Sequence, residues 1–173
     1  IAPEAKALFA TLGVKTYDPA NPLVIYTLNS SNQVVPTPTT VIGEDSDPIF
    51  SGMSFVINQY NSSSHPYYAQ WVDRFTVNNV STTESFLNYS ISGQNKAALN
   101  AGVKVTLANG GKAILTGFGF YLISDAAART NLITKSIQWL NATTSTAPKM
   151  VLSTEMLSFG KVDKATDLEF EVS

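Results

Sequence analysis

Two short segments carry the side chains best equipped for chemistry. Glu44, Asp45 and Asp47 set three carboxylates within four positions. Hard cations such as Ca²⁺ take several carboxylate and carbonyl oxygens, which makes this stretch a candidate metal site. It lacks the glycine and the later glutamate of an EF-hand loop. Its alternative is a solvated turn, with Asp47 making an Asx-type bond ahead of Pro48. The second segment gathers Tyr60, His65, Tyr67, Tyr68 and Trp71 within twelve residues, among Ser and Asn. Exposed rings beside amides suit a glycan or a peptide through stacking and hydrogen bonding, so Tyr60, Tyr67, Tyr68 and Trp71 form a candidate binding loop. The alternative is a long loop pinned by its own aromatics, with Trp71 in the core.

Other chemistries find less to work with. The chain has no Cys, so thiolate nucleophiles, disulfides and zinc thiolate sites are excluded. Its one His, His65, has no acid near it in sequence and reads as a loop residue. SGMSF lacks the second glycine of a nucleophile elbow, and Asn109-Gly110-Gly111 has neither a Walker lysine nor a G-x-G-x-x-G pattern. Gly117 and Gly119 alternate within an apolar run, which calls for close helix packing or for backbone approaching a ligand. Asn29, Asn61, Asn79, Asn88 and Asn141 each open an N-x-S/T sequon and are possible glycosylation acceptors.

Composition narrows the setting. The 173 residues are 44% hydrophobic and only 14% charged, with net charge −2. Hydroxyl and amide side chains replace charge on the surface. That balance argues against nucleic acid as a partner, and the longest apolar run, from Ile114 to Ile123, is half of what a membrane-spanning helix needs.

The elements that position these residues are read from capping and periodicity. PEAKALFATL at 3–12, followed by Gly13, predicts a short helix. Residues 23–28 and 34–42 read as strands, the second confined by Pro36 and Pro38 to an edge or to extended, unpaired backbone. Met53 to Ile57 reads as a strand, and 58–68 as a surface loop. Asn109-Gly110 predicts a hairpin joining 103–107 to 113–118. AILTGFGFYLI reads as a strand buried on both faces. Ser124 is placed to cap a helix over 125–140, with Leu132, Ile133, Ile137 and Leu140 on one face. A buried strand leading into an amphipathic helix predicts an α/β fold: a mixed sheet whose central strand, 112–123, is flanked by the helices at 3–12 and 125–140. Residues 141–149 read as a linker and 150–173 as a β-rich tail.

DPIFSGMSFVI at 47–57 and GKAILTGFGFYLISDAAARTNLITKSIQWL at 111–140, with LFATLGV before them, resemble the C-terminal half of non-catalytic class I glutamine amidotransferase-like domains. Such domains are appended to large secreted bacterial proteins and peptidases. The tail VLSTEMLSFGKVDKATDLEFEV is similar to the opening strands of Hydin-type immunoglobulin-like modules. These resemblances imply an incomplete amidotransferase-like domain over 1–140 and the start of a second module at 150–173. The family's cysteine nucleophile has no counterpart here, and Tyr121 stands where related domains often place an acid. The expectation is a non-enzymatic structural or interaction domain of an extracellular or cell-surface bacterial protein, without a cofactor. Its partners would be other domains or subunits of that protein, with a glycan or peptide ligand of the 60–71 loop as the alternative.

Overall fold

In the computed structural model, which describes residues 3–15, 23–60, 67–77, 82–93 and 99–142, the chain is built mainly of strands. It runs α1 (Pro3–Thr11), β1 (Val14–Lys15), β2 (Leu23–Val24), β3 (Tyr26–Leu28), β4 (Val34–Pro36), β5 (Thr39–Gly43) and β6 (Ser54–Ile57). Then follow β7 (Trp71–Val72), β8 (Thr76–Val77), β9 (Thr83–Ser90), β10 (Asn100–Thr106), β11 (Lys112–Thr116), a 3-10 turn (Phe120–Leu122) and α2 (Ala126–Asn141). Five strands form one sheet in the order β11-β10-β9-β5-β6, and three two-stranded pairs (β1-β8, β2-β7, β3-β4) surround it. Among the described residues every strand pairing is antiparallel.

Asn109-Gly110 makes the hairpin its sequence calls for. Gly110 takes φ +82°, and Leu107 N–H donates to the Gly111 carbonyl at 2.7 Å. β10 therefore returns as β11, with Val105 opposite Ala113 and Val103 opposite Leu115. Register shifts around Gly102 re-aim β10: Ala101 joins the main core, whereas Val103 and Val105 turn to a second cluster with Leu12, Val14 and Phe75. The main core is centred on Phe86, Leu87 and Tyr89 of β9, with Val41, Phe50, Ile57, Leu122, Ile123 and Leu132 around them.

The helix-flanked α/β fold with a mixed sheet is not what the chain builds. The sheet is wholly antiparallel, β9 is its middle strand, and the stretch expected at the centre lies at the edge. β11 ends at Thr116, is half-buried throughout, and the chain then leaves the sheet at Gly117. The apolar run is used differently on its two sides. Ile114 packs on the main core while Ala113 and Leu115 meet the second cluster; Phe118, Leu122 and Ile123 then enter the main core from a turn. An edge strand covered on both faces has the same hydropathy as a central one, so periodicity does not separate them.

α2 starts one residue later than expected. Asp125, not Ser124, caps it, accepting from Ala127 N–H at 2.8 Å. Lys112 Nζ donates to the carbonyls of Trp139 and Ala142 at its C-terminus, where a cation complements the helix dipole. Of the expected apolar face only Leu132 is buried; Ile133, Ile137 and Leu140 are exposed. No helix among the described residues is long and apolar enough to cross a membrane. The proposed β tail at 150–173 and nearly all of the 141–149 linker lie outside the described residues.

Candidate functional site

The aromatic candidates come out at the surface. Tyr60, Tyr67, Tyr68 and Trp71 are all exposed, Trp71 at 56%. Trp71 is therefore not the core residue that would pin the loop. The fastening is done instead by Asn58, which is fully buried at φ +61°, a left-handed conformation that Asn tolerates better than most residues. Its Nδ2 donates to the Ile25 carbonyl at 2.8 Å, its Oδ1 accepts from Ala69 N–H at 2.7 Å, and its backbone N–H donates to the Leu122 carbonyl at 2.9 Å. One amide thus ties the two ends of the loop to each other and to the 3-10 turn. Tyr60 and Tyr68 then pair edge-on at 5.3 Å, and Tyr67 meets Tyr121 at 6.2 Å.

Tyr121 brings the site together. Trp71 of β7 and Asp73, just beyond its end, are exposed while Val72 between them is buried. Asp73 N–H donates to the Gly117 carbonyl at 2.8 Å, which seats β7 alongside the turn that follows β11. A cleft of about 570 Å³ opens there, lined by Trp71, Asp73, Thr116, Gly117, Gly119 and Tyr121 among others. That volume suits a small ligand.

Both glycines of the apolar run are explained by close approach. A Cβ on Gly117 would stand 2.0 Å from the Asp73 carbonyl oxygen, and one on Gly119 would stand 2.2 Å from the Tyr121 ring. The Tyr121 ring lies flat against Gly119 while remaining 56% exposed. From beneath, Tyr89 donates its hydroxyl to the Asp73 carbonyl at 2.8 Å, and Phe118 packs edge-on against Phe55 and Tyr89. Burial, and then the Asp73 charge, push the Tyr89 phenol far up, so it stays a donor. Burial raises the Asp73 carboxyl above its ordinary value.

The carboxylate candidates do not converge. Asp47 is buried; its Oδ1 accepts from Ile49 and Phe50 N–H at 2.9 and 3.0 Å, and its Oδ2 lies 2.6 Å from Lys104 Nζ. Burial alone would raise its pKa, but Lys104 and the two amides outweigh that and hold it below the usual value. Glu44 accepts from Asn88, while Asp45 is exposed. Among the described residues no three metal-ligating side chains come together. Asp47 makes the expected Asx-type bond, but it is buried rather than solvated, paired with Lys104, a partner that sequence spacing does not reveal.

The sequons divide. Asn88 is buried on β9, so the folded chain has no room for a glycan there. Asn29 is exposed, its side chain closing the β3–β4 turn through Ser31 and Gln33 N–H at 2.9 Å each. Asn141 is exposed at the end of α2. Asn61, Asn79 and His65 lie outside the described residues. The sequence reading missed Asn58, Asp73 and Tyr121 as site residues; the glycine pair flanking Phe118 was the available signal. Compared with known proteins, the chain matches no protein-family model, no curated protein and no solved structure.

Proposed function

We propose that this chain is a non-enzymatic interaction module of a secreted or cell-surface protein, and that its ligand is a saccharide held in the cleft between Trp71 and Tyr121. The observation that carries this reading is a cleft lined by two exposed rings, Trp71 and Tyr121, together with Gly117 and Gly119. Pyranose rings offer flat C–H faces that stack on such rings, while their hydroxyls need the polar groups that Asp73 and Thr116 supply. Large aromatics are held in the open here by a buried amide, two glycines and a buried tyrosine hydroxyl, so their exposure is built rather than incidental. A chain without Cys and with a single His supports binding over turnover.

Calorimetric titration of the full chain with a panel of oligosaccharides tests this. At least one should bind, and Trp71→Ala and Tyr121→Ala should each abolish the heat while leaving the thermal midpoint nearly unchanged. Saccharide binding that survives both substitutions would place the ligand elsewhere.

A further inference from the structure

The cleft contains one charge that the fold does not use. Among the described residues the Asp73 carboxylate makes no hydrogen bond or ion pair, in contrast to Asp47, which has Lys104 and two backbone amides. Only its backbone is engaged, through the bonds to Gly117 and Tyr89. Asp73 directly follows β7 and lines the same cleft as the exposed Trp71 and Tyr121. A carboxylate sharing a cleft with two exposed rings makes a cation site, because ring quadrupoles and the charge attract the same sign.

We infer that, within the saccharide reading, the cleft selects a sugar bearing a free amine, its ammonium set against Asp73 and its ring face on Trp71 or Tyr121. A hexosamine whose amine is unacylated meets both demands. An acidic sugar would be repelled by Asp73, and an N-acetylated one would leave the carboxylate desolvated with only neutral donors to satisfy it.

The test compares tetramers of glucosamine and of N-acetylglucosamine, titrated against the full chain and against Trp71→Ala and Asp73→Asn. The free-amine tetramer should bind about fivefold more tightly, the worth of one partly exposed ion pair with Asp73. Asp73→Asn should bring the two affinities to parity without weakening the acetylated ligand, and Trp71→Ala should abolish both. Unchanged discrimination in Asp73→Asn, or equal binding by the wild type, overturns the amine selection and leaves the saccharide reading standing. Binding of neither tetramer, while other oligosaccharides bind, likewise rejects only the amine selection; silence across the whole panel rejects both. Equal binding of tetralysine would show charge attraction alone and would also overturn it. A thermal melt of each variant confirms that it is folded.

Discussion

Asp73 and Gly117 touch backbone to backbone: the Asp73 N–H donates to the Gly117 carbonyl at 2.8 Å, and a methyl group at Gly117 would lie 2.0 Å from the Asp73 carbonyl oxygen. The contact fixes the distance between the Trp71 strand and the turn that carries Tyr121, so the width of the cleft depends on position 117 having no side chain. Gly117→Ala must push β7 outward, because the atom it meets is backbone and cannot rotate away. The expected cost is about 1–3 kcal/mol, from overpacking, together with loss of saccharide binding. Urea unfolding followed by titration checks both. A variant with the wild-type midpoint would mean that β7 is not held where the structure places it.

Asn58 should matter more than its place in a polar loop suggests. Asn58→Ala leaves the Ala69 N–H without its partner, removes one of the two donors to the Ile25 carbonyl and puts Ala at φ +61°. A loss of about 2–3 kcal/mol is expected. Asn58→Gly separates the two causes, since glycine accepts the backbone conformation but still removes the amide. If Asn58→Gly restores full stability, the side-chain bonds contribute nothing and the loop is fastened by other contacts.

What the sequence revealed depended on whether the signal was local. Asn109-Gly110 dictates its own turn, and Asp125, Ala126 and the residues after them dictate a helix, so both were readable. The position of β11 was not, because being at an edge or a centre is a property of the neighbours. The cleft shows the same division. Tyr67, Tyr68 and Trp71 stood out as a cluster, but Tyr121 joins them through tertiary contacts such as the Asp73–Gly117 pairing, across more than 40 residues. The apolar face read on α2 failed for a related reason. Helical spacing places Leu132, Ile133, Ile137 and Leu140 together, yet only what packs against the helix decides which of them is buried.

That failure is measurable. Leu132 is fully buried against the main core, whereas Ile137 is half-exposed. Leu132→Ala should cost about 2–5 kcal/mol, while Ile137→Ala should stay within about 0.5 kcal/mol. Denaturant midpoints of the two variants suffice. Equal losses would show that the outer face of α2 is covered in solution.

Lys104 and Asp47 provide the pH-dependent element of the fold. Lys104 on β10 is buried, lies 2.6 Å from Asp47 and 3.0 Å from Glu84, and sits 5.7 Å from the Trp139 ring centroid. Because the folded state holds the Asp47 pKa below its ordinary value of 3.8, the unfolded chain binds more protons in that range. The stabilisation is therefore complete above the ordinary value and is lost as pH falls through the lowered one. Lys104→Met removes the cation and leaves the Asp47 charge buried with only its two backbone amides. The expected loss is about 3–5 kcal/mol at neutral pH. The acid side should change with it. Without Lys104, only the two backbone amides oppose burial, so the Asp47 pKa rises from its wild-type level and the variant's deficit narrows as Asp47 is protonated. Urea midpoints recorded from neutral pH down to about pH 2.5 would show the wild-type and variant curves converging. Curves that stay parallel would mean that the two side chains are not coupled in the folded chain.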